Sequence, residues 1–462
     1  MNMGNKIIIN RAIGETRMAL IENDQVAEIR LFRDHAPSYV GAIYLGRVTK
    51  LSTEFQAAFI ELDNNLSGFL PLKTLPKSPG KKPKDLTSLL HEGQRIIVQV
   101  TADAAPGKTL KLTGRVELVS TAMVFHPFRA GAYVSSRIKD PDKREELKKF
   151  GRTMKLDEYG VTFRTAAETF PLEQLTIIAR EFILHWQSVT KNKEKLKCPS
   201  LLTQGPEPVE QILREFSTAD VNDIIIDQAN SVMVAKQWLK VFAPNLQKKV
   251  THYTENENLF SRYEIDDEIE KIIAPHITLN SGAWITIEQT EAMTVIDVNM
   301  GDAHFSSDQQ KQIFSLNREA AREIFHQLRL RSIGGIIIID FVNMTNKGQV
   351  KSLLHFIDEL MLLDPLPIQR GNISSLGLLE LSRKSTGKNL NQALLEKPDL
   401  VHNLLAKCLN LIREVEREAR EKPGLPCVIK VDTRTKKWFE DHSILFDQFQ
   451  KRTGSVLQME LK

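Results

Sequence analysis

The chain has 462 residues, 42% of them hydrophobic and 26% charged, which is too long for one compact core and too apolar for disorder. No run approaches the roughly 20 apolar residues of a membrane helix, no apolar leader with a cleavage site opens the sequence, and the three distant cysteines (Cys198, Cys408, Cys427) form neither a disulfide framework nor a zinc knuckle, so a reducing cytoplasm is expected. The net charge of +4 hides an asymmetry, +9 over the first 205 residues and −5 over the rest, which admits an anionic partner on the N-terminal side.

Residues 6–10, 16–21 and 26–32 predict the strands of a small sheet, with Glu15 and Asn23-Asp24 at turns. From residue 41 the texture changes. Short strands are expected at 42–48 (AIYLGRV), 57–62 (AAFIEL), 67–71 (SGFLP), 96–101 (IIVQVT) and 110–118. Five of them in so short a span predict a closed barrel of the OB type over residues 41–119. Such barrels stack unpaired bases on aromatic rings while cations follow the backbone. Phe59 and Phe69 are the candidates for stacking, with Lys108, Lys111 and Arg115 farther on; core packing is their competing role. The stretch 76–84 (PKSPGKKPK) is a basic excursion with nothing to pack.

Residues 120–205 form a third unit, with a strand at 161–165 (VTFRT), an amphipathic helix at 171–189 and a basic tail at 191–197. An Arg-Thr pair such as Arg164-Thr165 can hold a phosphate through a guanidinium fork and a hydroxyl, although most pairs of this kind are surface decoration. Residues 206–272 return to alternating helix and strand. A long helix is expected at 308–330, others at 350–363 and 394–420, and strands at 366–369, 376–381 and 426–432.

Two stretches carry the chemistry. Residues 292–299 (AMTVIDVN) and 336–341 (IIIIDF) are apolar, β-branched runs that each reach an acid, Asp297 and Asp340. A continuous apolar run predicts a strand buried on both faces, where a carboxylate is costly unless paired. Two such strands can bring their acids to one divalent cation of the Mg²⁺ kind. Alternation puts Asn299 on the face of Asp297. Capping, or pairing with Arg329 or Arg331, is the competing role. His304 and His326 are expected in loops or on the surface, Trp186 and Trp284 in the core.

With residues 288–299 (EQTEAMTVIDVN), 327–344 (QLRLRSIGGIIIIDFVNM) and 376–383 (LGLLELSR) in hand, the chain resembles the ribonuclease E/G family over almost its whole length. These motifs are long and composite, unlike a lone acid pair. The resemblance implies a multidomain α/β and α+β chain. A discontinuous RNase H-like domain (residues 1–40 and 206–272) would carry two insertions, an OB-type barrel (41–119) and a 5′-end sensor (120–205). A DNase I-like catalytic domain (273–390) and a small C-terminal α/β domain (391–462) would follow. It implies Mg²⁺, or Mn²⁺, held by Asp297 and Asp340, with Asn299 orienting the first acid or contacting the scissile phosphate. It implies RNA contacts at Phe59, Phe69 and Lys108, and a 5′-phosphate pocket of Arg164, Thr165 and Val124.

The chain departs from the family pattern at three places. Residues 384–404 hold no cysteine, so no structural zinc is expected and any oligomer would form without a cysteine zinc link. Ser120 stands where the sensor has glycine, and Asn343 where an acid is usual. The resemblance therefore implies an endoribonuclease of the short, ribonuclease G-like branch. It would cleave single-stranded A/U-rich RNA to 5′-phosphate and 3′-hydroxyl ends in the cytoplasm. The alternative is a catalytically weak RNA-binding or ribosome-associated protein on the same fold.

Overall fold

A computed structural model of the chain describes residues 4–63, 66–76, 89–104, 109–191, 193–290, 292–301, 309–374, 376–385, 389–396, 401–421 and 424–461. Lys108, His304 and nearly all of the basic stretch 76–84 lie outside the described residues. Two compact units share the chain, one formed by residues 4–9 and 32–253, the other by 1–3, 10–31 and 254–462.

In the first unit the strands Ile43–Ser52, Ala57–Asp63, Leu66–Pro71, Leu110–Thr113 and Arg95–Ala102 follow one another in pairing order, and the first also pairs with the last. The sheet thus closes into the expected five-stranded barrel, which leaves it no free edge among these strands. Its interior is filled by Val48, Ile60, Leu62, Leu70, Val98 and Leu112, which alternate with less buried residues along each strand. Ser200–Thr203 adds a strand antiparallel to Ile43–Ser52, so the barrel sheet draws on residues beyond 119.

The strand expected at 110–118 ends at Thr113, because the Gly114 and Arg115 amides turn to donate to the Thr74 carbonyl at 3.2 and 3.1 Å. Leu118–Val119 then opens a separate four-stranded sheet with Met123–His126, Gly160–Phe163 and Gly131–Val134. The helix Leu172–Thr190 packs Phe182 against Phe125 of that sheet, ring centroids 6.0 Å apart. Trp186 is buried there, as expected. Elsewhere in the unit, residues 5–9 run parallel to Val221–Ile226, which runs parallel to Val250–His252.

In the second unit, Glu15–Glu22 and Gln25–Arg33 join through Asn23 and Asp24, both at positive φ. Asn and Asp tolerate that left-handed geometry. Glu15 is not a turn residue. The chain turns at Gly14 (φ +79°), and the Glu15 carboxylate is buried in an ion pair with Arg413, which relieves the cost of burying it.

The centre of this unit is a six-stranded sheet in the order His276–Thr278, Trp284–Gln289, Met293–Asn299, Gly335–Asp340, Leu378–Arg383, Ile368–Ile373. Only the middle pair is parallel. The helix Gln309–Leu330 makes the crossover that a parallel pair needs. That helix and Lys347–Leu363 cover one sheet face, where Leu316, Ala320, Ile324, Leu328, Leu353 and Ile357 pack on Ile285, Ile296, Ile337 and Ile339. Behind the layer, Arg383 and Asp364 form a fully buried pair with Nε–Oδ2 2.9 Å and Nη2–Oδ1 3.2 Å, and Arg383 Nη1 donates to the Ile333 carbonyl at 2.7 Å. This is the structural work done by the arginine of LGLLELSR.

The C-terminal core joins Ile412, Val415, Ile429, Phe439 and Phe449, with Cys408 and Cys427 among them. Burial pushes the Cys408 thiol up to about 12, so it packs as an apolar group. The helix expected at 394–420 is instead two helices, Leu390–Leu394 and Leu404–Glu421, with the short antiparallel strands Leu395–Glu396 and Val401–His402 between them. Pro398 in the sequence argues against one continuous helix across this stretch.

Candidate metal centre and nucleic-acid interface

Asp297 and Asp340 are exact register partners in the parallel pair Met293–Asn299 and Gly335–Asp340. In-register neighbours project to the same face, their strands about 4.8 Å apart. Both acids are exposed, and so is much of the face that carries them, with Ile336 at 52%. This corrects the expectation of strands buried on both faces. The helical layer takes Ile296, Val298, Ile337 and Ile339, while Thr286, Val295, Asp297, Asn299 and Asp340 share the other side. The cost of placing two acids here is therefore mutual repulsion, not desolvation.

The competing partners are engaged elsewhere. Arg329 grips Glu22 with both Nη atoms, at 2.8 and 2.9 Å. Arg331 is buried, its Nε on Gln327 at 2.7 Å and its Nη2 on the Ala274 carbonyl at 3.1 Å; burial holds its guanidinium down at about 10. Asn299 Nδ2 donates to Asp297 Oδ2 at 2.7 Å, so its amide orients the first acid. No arginine or lysine among the described residues bonds Asp297 or Asp340. Two hard oxygen donors with no cation opposite them fit a divalent ion of the Mg²⁺ kind. Among the described residues no third His, Cys, Asp or Glu completes a larger ligand set.

Two further parts of this site escaped the sequence reading. Asn317, fully buried on the long helix, donates to the Val342 carbonyl (2.8 Å) and accepts from the Val342 amide (3.1 Å). It clamps the backbone just beyond Asp340 and so fixes the strand end. Trp284, expected in the core, is 37% exposed and lies directly opposite Asn299 on the open face. Asn343, expected from the resemblance to stand where an acid is usual, is exposed in the loop that follows.

On the barrel, Phe59 and Phe69 are cross-strand partners, half-buried, with ring centroids 5.7 Å apart and planes at 69°. They stand outside the barrel core. Pairing extends the row on both sides, since Lys50 is opposite Phe59 and Lys111 opposite Phe69. The result is a stripe of lysine, two rings and lysine across four strands. Lys111 was among the cations noted in the sequence; Lys50 is visible only once the register is known.

In the four-stranded sheet, Val124 is opposite Thr162, and Arg164 lies two residues farther along extended backbone on the same side. The Arg164 amide bonds the Ala122 carbonyl at 2.8 Å, and its Nη1 donates to the carbonyls of Ser120 (2.7 Å) and Arg214 (3.3 Å). Burial lowers its pKa, with Glu215 opposing and Arg137 adding to the shift. The strand ends at Phe163, and Thr165, itself exposed, opens a 3₁₀ turn instead of closing the strand. The Ser120 hydroxyl bonds the Met123 backbone and closes its own turn. His126 joins this face, its Nε2 2.8 Å from Thr162 Oγ1.

An acid pair on an open sheet face and an aromatic–cation stripe on a barrel together have the donor sets of a protein that handles phosphodiester chains. The model of the ribonuclease E/G family matches residues 117–386, a span that holds Arg164, Asp297 and Asp340. Ribonuclease G of Escherichia coli (strain K12) is 30% identical over 427 residues, covering 89% of this chain and 87% of its own length. Ribonuclease G of Haemophilus influenzae matches to the same extent. Ribonuclease E of Escherichia coli (strain K12) is 30% identical over 427 residues, 88% of this chain and 40% of that longer protein. The chain belongs to the ribonuclease E/G family. No described helix is long and apolar enough to cross a membrane.

Proposed function

We propose that this chain is a cytoplasmic, Mg²⁺-dependent endoribonuclease, with Mn²⁺ as the alternative ion. It cuts single-stranded A/U-rich RNA to 5′-phosphate and 3′-hydroxyl ends in RNA processing or decay. The relatives' names supply the reaction class. The observation that carries it to this chain is the in-register pair Asp297 and Asp340, with Asn299 bonded to the first acid.

Mg²⁺, when bound, supplies charge neutralisation at phosphorus and a water of lowered pKa. Asp297 and Asp340 would hold it. Asn299 keeps Asp297 Oδ2 engaged and leaves the other carboxylate oxygen of this exposed residue for the ion. In-line attack of water on phosphorus forms the new P–O bond and breaks the bond to the 3′ oxygen, which leaves as a hydroxyl after taking a proton. The phosphate stays on the 5′ end of the downstream fragment, and no 2′-hydroxyl takes part. Phe59 and Phe69 stack unpaired bases between Lys50 and Lys111, which a paired A-form helix cannot present. Lys108 is a third contact on this reading. Arg164, Thr165 and Val124 hold a terminal 5′-phosphate, which adds binding and orientation and no chemistry. Any oligomer forms without a cysteine zinc link, and no structural zinc is needed.

The test uses a 5′-monophosphorylated, A/U-rich single strand with Mg²⁺, comparing the wild type with Asp297→Asn. Cleavage by the wild type alone is expected. Equal products from both proteins, or none from either, would leave a binding protein on the same fold. Arg164→Ala should slow cleavage of that RNA and leave a circular RNA unaffected; the same change on both would exclude the pocket.

A further inference from the structure

Among the described residues, Trp284 is the aromatic ring that pairing places next to Asn299 on the open face beside the acids. The other three tryptophans are differently placed: Trp186 and Trp238 are buried, and Trp438 stacks on His442 at 4.1 Å. An indole offers a large flat apolar face with one polar edge, and at 37% exposure part of that face is open to a stacking partner beside the acids.

The ring is also held from behind. A methyl group added at Gly301 would fall 2.7 Å from ring carbon Cζ3 and 2.6 Å from the Gly282 carbonyl oxygen. Both glycines have positive φ, +58° and +83°. A side chain at Gly301 would collide with the indole, so the bare backbone there lets the ring sit against it while about a third of the side chain stays exposed. That is a pre-organised aromatic surface, which loses little entropy when something stacks on it.

The register sets its distance from the acids. Trp284 is directly across from Asn299, and Asp297 lies two residues back, about 7 Å along the strand. A nucleotide whose phosphate sits at Asp297 and Asp340 can therefore place a neighbouring base on the indole. We propose that Trp284 is a base-stacking residue for the nucleotide beside the cut phosphate, fixing which phosphate is presented to the acids. The proposal rests on the RNA-cleavage reading and adds to it a contact separate from the Phe59–Phe69 stripe.

The experiment has two arms. In the first, the Asp297→Asn protein is titrated with a short single-stranded RNA in Mg²⁺ and its tryptophan fluorescence recorded. A saturable quench is expected, and it should be lost when Trp284→Phe is added, because only the indole at that site meets a base. In the second, steady-state cleavage by Trp284→Ala should show KM raised ~10-fold, the scale of one lost base stack, with kcat within about threefold. Trp284→Phe should recover most of the KM, since a phenyl ring still stacks. An undiminished quench in the Asp297→Asn, Trp284→Phe protein, or an unchanged KM in Trp284→Ala, would overturn the assignment. If the wild type cleaved nothing, the cleavage reading would fall, and the quench would still decide this one.

Discussion

Asn299→Ala tests how the acid pair is organised. In the structure Asn299 Nδ2 lies 2.7 Å from Asp297 Oδ2, so the substitution removes a charge-assisted hydrogen bond and nothing from the core face. Such a bond contributes about 1.5–3 kcal/mol. Water replaces part of it at a solvent-facing position, which leaves ~1.4 kcal/mol, a tenfold change in an equilibrium constant. The loss would fall on the orientation of Asp297 and hence on the ion it would hold. The Mg²⁺ concentration for half-maximal cleavage should rise about 10-fold, the lower end of the range for outer-shell partners of metal ligands. Excess Mg²⁺ should restore most of kcat. The assay is initial cleavage rate against Mg²⁺ at saturating RNA for wild type and variant. An unchanged Mg²⁺ midpoint with a lowered kcat would refute the reasoning, and would mean that Asn299 acts on the phosphate.

Phe59→Ala or Phe69→Ala should raise KM for single-stranded RNA by ~10-fold, at about 1–3 kcal/mol per lost stack, without moving the Mg²⁺ midpoint read at saturating RNA; RNA titrations, and rates at several Mg²⁺ concentrations with RNA saturating, check both. Lys50→Ala and Lys111→Ala should each lower the slope of log affinity against log salt by about 0.7, read from binding isotherms at several salt concentrations. Arg383→Met strands the buried Asp364 carboxylate and should cost about 3–5 kcal/mol in chemical denaturation, much of it recovered by adding Asp364→Leu. Burial, with the Arg129 charge adding to it, holds His126 down at about 4 from an ordinary 6.5. The unfolded chain thus binds the extra proton first on acidification, so the His126 contribution is complete above about pH 6.5 and is lost as pH falls toward 4. His126→Gln should flatten that part of a stability–pH curve measured by denaturation.

The elements that mattered most were legible because their cause is local. Residues 292–299 and 336–341 are strands on β-branched content alone, and alternation by twos decides that Asn299 shares a face with Asp297. The five-stranded barrel followed from short strands with turn residues between them. What escaped needed a partner in space. An unbroken Ile run is compatible with one covered face or two, so the openness of the Asp340 strand depends on where the helices 309–330 and 347–363 lie. The same ambiguity put Trp284 in the core. Lys50 becomes a neighbour of Phe59 only through strand register, and Glu15 becomes a core residue only through Arg413, nearly four hundred residues away.

The openness of the acid face bears on how an ion would be held. Two exposed carboxylates at about 5 Å repel by roughly 1 kcal/mol in a water-like dielectric, a modest strain that draws a cation without trapping it. Mg²⁺ gives up its waters reluctantly and commonly takes one or two carboxylates together with a substrate phosphate. With Asp297 and Asp340 the two carboxylates that the described residues bring together here, the phosphate of bound RNA would complete the set, and each ligand would then strengthen the other by the same factor. The half-saturating Mg²⁺ concentration should therefore fall as RNA is raised from far below KM to saturation, and KM should fall as Mg²⁺ is raised. Cleavage rates over a grid of both concentrations measure the coupling. A Mg²⁺ midpoint identical at low and saturating RNA would mean that the ion site is complete before RNA arrives, and that ligands beyond these two acids hold it.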